Sequence, residues 1–293
     1  MSARREINAV LLLDKPRGIS SNGALTRAKH LFDAAKAGHC GTLDPLATGL
    51  LPIAFGEATK FSRFMLDAEK SYEATLRLGE TTPSGDCESA ITLRSEVTCT
   101  EPDIKKTLLS FAGEQTQIPP MFSALKKNGA PLYALARAGH EVERAPRGIT
   151  ISNIRLLEWS GQEASIKVSC SKGTYIRVLA HDIGEALGCG AHLTALRRTQ
   201  VGPLSLESAH SLEEIENSEA RDSFLLPLDT FISGLAKVTL DSSQALRLFR
   251  GQTVAALTPT GLLRCYDDAG RFLGVGTADE SGEIRASRLM RIA

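Results

Sequence analysis

Ser71–Glu80, SYEATLRLGE, alternates polar and apolar residues in the manner of a strand with one buried face. Two later stretches, ITISNIRLLEW and EASIKVSCSKGTYIRV, read as paired strands and are followed by a helix from about Leu179 to Leu187. Between the first strand and this pair lies a well-punctuated helix, TEPDIKKTLLSFAG, with Thr100 as cap, Pro102 in the first turn and Gly113 past the end. Further toward the N-terminus the pattern predicts a strand over Ile7–Leu13 and a helix capped by Ser20 or Ser21 and running to about Ala35. A strand over Leu50–Phe55 and a short helix over Ala58–Met65 follow. Neighbouring strands that pair, interleaved with helices, imply an α+β fold whose mixed sheet is largely antiparallel and flanked by helices.

After Gly202 the composition turns acidic and polar in ESAHSLEEIENSEARDS. The residues from about Leu235 onward contain short strands with the turn signals DDAG and ESGE. This predicts one large domain over residues 1–234 and a small β-rich appendage over 235–293. No apolar run approaches the roughly 18 residues needed to cross a bilayer. The opening MSARREINAV passes into apolar residues without a small-residue cleavage site, so no secretory signal is expected. Six scattered cysteines without paired spacing fit a reduced, cytoplasmic protein.

Net charge is zero, yet it is unevenly spread: +4 over residues 1–63, −5 over 64–120, +5 over 121–200, −5 over 201–240 and +1 over 241–293. Two basic blocks could therefore form one positive face on a neutral chain, or simply an ordinary mixed surface.

Within the first basic block lies GHCGTLDPLATGLLP, residues 38–52, where a single carboxylate, Asp44, stands among glycine, threonine, proline and aliphatic residues. Pro45 biases Asp44 away from helical geometry, and the glycines allow tight turns and close approach of a ligand. Asp44 is then either a turn-making Asp-Pro pair or a partly desolvated acid that needs a cationic partner to stay ionised. Other constellations are weak. Cys189 with His192 lacks a second pair of metal ligands, and His39 beside Cys40 reads as a polar loop histidine next to a buried thiol. There is no phosphate-binding glycine loop, so neither a nucleotide cofactor nor a metal is expected. Trp159 reads as a packing residue.

The loop resembles the catalytic motif of TruB-type pseudouridine synthases, enzymes that isomerise a uridine in the T loop of tRNA. LLLDKPRGISS, KSYEATLRLGE, IPPMFSALKKNGAPLYALARAG, SCSKGTYIRVLAHDIGEALG and AHLTALRRTQVG are similar to further motifs of that family, in the family's order, from Leu11 to Gly202. The resemblance implies a pseudouridine synthase fold with an RNA-binding insertion at about 115–150 and, more loosely, a C-terminal PUA-like domain whose best segment is RGQTV. It implies isomerisation of uridine 55 without any cofactor, the base being flipped out of the RNA to reach Asp44. By the same resemblance Asp44 is the essential acid and Arg177 its pairing arginine. Tyr72 stacks on the base, and Tyr175 and Leu196 lie beside it. His39 fills the space the base leaves, and Lys15 gives support. The two basic blocks would line one cleft and contact phosphates. Cys40 and His181 depart from the family's usual residues. A tRNA T stem-loop is the implied partner, bound by a monomer with no obligatory protein partner. The alternatives are the catalytic subunit of a guide-RNA particle, which usually carries lysine-rich extensions, and an RNA-folding chaperone without essential catalysis.

Overall fold

The computed structural model describes residues 3–123, 125–127 and 129–291. An 11-stranded mixed sheet forms its larger part. In chain order its principal strands are β1 (Ala9–Lys15), β2 (Ala37–His39), β3 (Thr48–Phe55), β4 (Lys70–Leu78), β5 (Gly113–Gln117), β6 (Arg147–Trp159), β7 (Glu163–Cys170), β8 (Ala191–Val201) and β9 (His210–Ser211). They lie in the order β9-β1-β3-β8-β4-β7-β6-β5, with β2 paired to β3 off this row. Among the described residues of this sheet only the β3–β8 and β1–β9 contacts are parallel; the other pairings are antiparallel.

Helix α1 (Ser21–Leu31) starts where Ser20 accepts the Gly23 N–H. It stops four residues short of the expected Ala35, at a turn where Asp33 takes φ of 50°. The expected 58–65 helix is a 3-10 turn (Gly56–Phe61) leading into α2 (Ser62–Asp67). Helix α3 (Glu101–Ser110) follows the predicted punctuation: the Asp103 carboxylate accepts the Thr100 N–H at 2.8 Å. A two-strand hairpin, Lys126–Lys127 with Ala130–Pro131, and α4 (Leu132–Arg137) occupy the expected insertion, of which residues 124 and 128 lie outside the described residues. The stretch GTYIRV is not strand. β7 ends at Cys170, Gly173 turns at φ of 81°, and α5 (Ile176–Ala186) begins, so Arg177 stands in a helix's first turn. The apolar run YIRV is shared by both structures, and the glycine decides between them.

One core lies between the sheet and α1, α3 and α5, built on Leu11, Leu13, Leu51, Ile53, Leu76, Ile166 and Ile183. A five-stranded sheet over residues 236–289 has its own core around Leu240, Leu248, Leu263 and Ile284. Phe272 and Val275 of this sheet pack with Phe61, Val10 and Leu50, and the Phe61 and Phe272 rings meet at 5.6 Å. Among the described residues no helix is long and apolar enough to cross a membrane.

The parallel β3–β8 contact brings two backbones unusually close. Gly49 faces Arg198 in the register at φ of 98°, and a Cβ there would lie 2.3 Å from the Arg198 carbonyl oxygen. Gly49→Ala is therefore expected to lose roughly 2–4 kcal/mol of stability through left-handed strain and overlap. Urea unfolding of wild type and variant measures it.

Candidate active site

The loop carrying Asp44 joins β2 to β3 and is held at several points. The Ser21 hydroxyl accepts the Leu43 N–H at 2.7 Å and lies 3.0 Å from the Leu43 carbonyl as its donor. Ser21 thus ties the loop to α1 while Ser20 caps that helix, a division of roles that two adjacent serines could not reveal. The Gly18 N–H reaches the Pro45 carbonyl at 2.8 Å, and the Ala47 N–H closes a turn on the Asp44 carbonyl at 3.0 Å. Leu43, Leu46 and Ala47 are buried beneath. The carboxylate is thereby presented upward from an apolar floor.

Helix α5 brings Arg177 to it. The Arg177 Nε is 3.0 Å from Asp44 Oδ2, with the arginine side chain only 6% exposed and the aspartate 39%. The other two nitrogens are engaged as well: Nη1 lies 3.5 Å from Asp86 Oδ2 and 3.1 Å from the Ser84 carbonyl, and Nη2 donates to the Phe122 carbonyl at 2.7 Å. Asp86 is buried, and its other oxygen accepts from the Ser84 hydroxyl and the Glu88 N–H. One arginine therefore joins two carboxylates, one buried and one facing open space. Burial pushes the Asp44 carboxyl above the ordinary aspartate value, Asp86 adds to this, and Arg177 and Lys15 pull back. The guanidinium orients the acid but does not by itself restore an ordinary acidity.

A cavity of about 430 Å³ opens above the pair, lined by Asp44, Tyr72, Ser123, Tyr175, Leu196 and Arg198 among others. That is room for one nucleoside. Tyr72 on β4 is buried, and its hydroxyl, desolvated, is less acidic than usual despite Arg198 beside it. Leu196 and Arg198 lie two apart on β8, hence on one face, and Arg198 pairs with Tyr72 in the register. Tyr175 precedes α5, its backbone N–H and carbonyl both bonded by the buried Gln117 amide at 2.8 and 3.1 Å.

Two expected site residues stand apart from the cavity wall. Lys15, completely buried at the end of β1, donates to the Pro16 and Ile19 carbonyls, and burial lowers its pKa to about 8. It braces the turn into α1. His39 lies on β2, paired with Ile53 across to β3. Its Nδ1 is buried without a partner among the described residues, and burial together with the nearby Arg198 lowers its pKa.

The cations counted in the charge blocks are not all at the surface. Lys70 is buried, donating to three carbonyls at the end of α2, and burial lowers its pKa to about 8. Arg198, of the RR pair expected to meet phosphates, is 1% exposed and bonds the Leu50 and Gly41 carbonyls, so it is a wall of the cavity. Arg197 pairs with Asp14 at 2.6 Å and keeps 42% of its exposure. Asp86, Gln117 and Arg198 line or support the site, and no spacing signals them; only SGD, a carboxylate after two small residues, offers a hint.

An acid–guanidinium pair at the bottom of a nucleoside-sized cavity, on a mixed sheet of this order, defines an enzyme of the pseudouridine synthase fold. Three family profiles match in succession: TruB family pseudouridylate synthase (N terminal domain) over residues 29–176, tRNA pseudouridylate synthase B C-terminal domain over 177–233, and pseudouridine synthase II TruB, C-terminal, over 236–290. The chain belongs to the TruB family of pseudouridylate synthases. It is 50% identical to the tRNA pseudouridine synthase B of Aromatoleum aromaticum over 98% of this chain and 94% of that one. The Cupriavidus metallidurans protein of the same name is 52% identical over 99% of this chain and 96% of its own length. A solved Cbf5-Nop10-Gar1 complex contains a chain 26% identical, with a TM-score of 0.73, covering 97% of this chain and 84% of that one.

Proposed function

We propose that this protein isomerises uridine to pseudouridine in tRNA, acting on uridine 55 of the T loop. The reaction breaks the bond from ribose to uracil N1, turns the base and rejoins it through C5, so atoms balance without any co-reactant. The observation that carries this reading is the Asp44 carboxylate, 3.0 Å from the Arg177 Nε at the floor of a cavity of about 430 Å³. As nucleophile or as base, that carboxylate must be ionised to act. The target sits in folded RNA, so it is flipped out. Stacking on Tyr72 returns roughly 1–3 kcal/mol toward the cost of unstacking, with Leu196 and Tyr175 beside the base and His39 in the space it leaves.

Phosphates are held by exposed cations around the cavity mouth. Residues 1–234 form the catalytic unit and 235–293 an RNA-binding appendage, in a monomeric cytoplasmic enzyme. A tRNA substrate met without a guide is supported over a guide-RNA particle by the two levels of likeness, about 50% to curated tRNA enzymes against 26% to the Cbf5-containing complex.

The test is direct. The protein alone is incubated with unmodified tRNA transcript, and pseudouridine is mapped by nucleotide. One modified position, in the T loop, is the expected result. Modification elsewhere, or none without added guide RNA, overturns the reading.

A further inference from the structure

We infer that Ser123 is a substrate-binding residue whose hydroxyl hydrogen-bonds a carbonyl of the extruded uracil. The inference rests on the isomerase reading above and extends it to a residue of the insertion. Ser123 lines the cavity that holds Asp44 and Arg177. The residue is 5% exposed, and its Oγ is buried without a partner among the described residues. Buried hydroxyls are normally paired, and an unpaired one is a standing cost to the fold.

The cavity's other polar groups are largely committed. Lys70 donates to three carbonyls, and Arg177 serves two carboxylates and two carbonyls. The Thr174 hydroxyl donates to the Ser171 carbonyl, while the Ser171 hydroxyl accepts the Thr150 N–H. Uracil presents two carbonyl acceptors and an imide N–H, and it cannot leave all three unpaired in a desolvated site without loss of affinity. A serine hydroxyl rotates to donate or accept, so it fits this edge.

The position of Ser123 is fixed relative to the chemistry. Its neighbour Phe122 gives its carbonyl to Arg177, the Ser123 N–H closes on Met121, and six residues earlier Gln117 grips the Tyr175 backbone. The root of the insertion is thus bolted to the first turn of α5. The hydroxyl stands on the same rigid frame as the guanidinium that holds Asp44.

Ser123→Ala is the test, with wild type assayed in parallel on unmodified tRNA transcript. The expected result is a fall of about ten-fold in kcat/KM, the worth of one hydrogen bond to a neutral group. The melting temperature without RNA should stay the same or rise, because the hydroxyl bonds nothing among the described residues of the free protein. A synthetic stem-loop with sulfur in place of uracil O2 or O4 then locates the contact. At the carbonyl Ser123 touches, the sulfur slows wild type and slows Ser123→Ala no further. Unchanged kcat/KM in an otherwise active system overturns the inference, as does a lowered melting temperature, or additive losses at both carbonyls. If wild type itself forms no pseudouridine, the isomerase reading fails instead.

Discussion

Asp44→Asn is expected to bind tRNA as wild type does and to form pseudouridine slower by on the order of 10⁴-fold or more, the scale of losing the one reacting side chain. Asparagine keeps the shape and can still accept from the Arg177 Nε, so the loop and its ties through Ser21 and Gly18 persist. What disappears is the negative charge. The free protein should lose no stability at neutral pH, and the sign follows from linkage. Burial raises the folded pKa of Asp44 above its unfolded value, so the folded state holds this proton longer. The stability that proton contributes is present below the unfolded pKa and lost as pH rises through the folded one, so at pH 7 the ionised acid is a net burden. Thermal melting, filter binding and pseudouridine mapping of the variant test the three statements separately. Loss of tRNA binding together with activity would show that Asp44 holds the site's shape rather than performing its chemistry. The same raised pKa predicts that the wild-type rate falls on the acid side at a pH above 3.8, the ordinary aspartate value.

The features legible in the sequence are those set by neighbours along the chain. The alternation of β4, the cap of α3 and the lone acid of the Asp44 loop are local patterns, and each matches its element. The features hidden from it depend on distant pairing. β8 lies at the centre of the sheet between β3 and β4, yet its sequence AHLTALRRTQV does not read as a strand, because it carries two arginines and no clean alternation. One of those arginines is buried and the other pairs with Asp14, roles fixed by strands more than a hundred residues away. Net charge by block likewise counted Lys15, Lys70, Arg177 and Arg198 as surface, whereas all four are buried. Charge counts become surface maps only after burial is known. Asp86 is hidden in the sequence for a related reason: its meaning comes from Arg177, ninety-one positions later, and not from its neighbours.

Arg177→Met is expected to be nearly as inactive as Asp44→Asn but, unlike it, markedly unstable. Methionine fills much of the same volume without a charge. The buried Asp86 carboxylate then loses the Arg177 cation, the Ser84 and Phe122 carbonyls lose that donor, and Asp44 loses the group that draws its pKa down. Removing one partner of a buried ion pair costs about 3–5 kcal/mol, mostly from the charge left behind. The deficit should depend on pH in a definite direction. With Arg177 absent the folded pKa of Asp44 climbs further above the unfolded value, so the variant loses stability relative to wild type as pH rises from 5 to 8 and recovers it on acidification. Urea midpoints at the two pH values measure this, and a pH-independent deficit would refute a charge origin. Arg177→Lys separates charge from geometry. A single ammonium cannot serve Asp44, Asp86 and two carbonyls together, since those contacts use three nitrogens of a planar fork. If lysine restores stability toward wild type yet leaves pseudouridine formation low, the fork's role is to aim Asp44, and charge alone does not suffice. Full activity in the lysine variant would show the opposite, that any cation under the cavity serves.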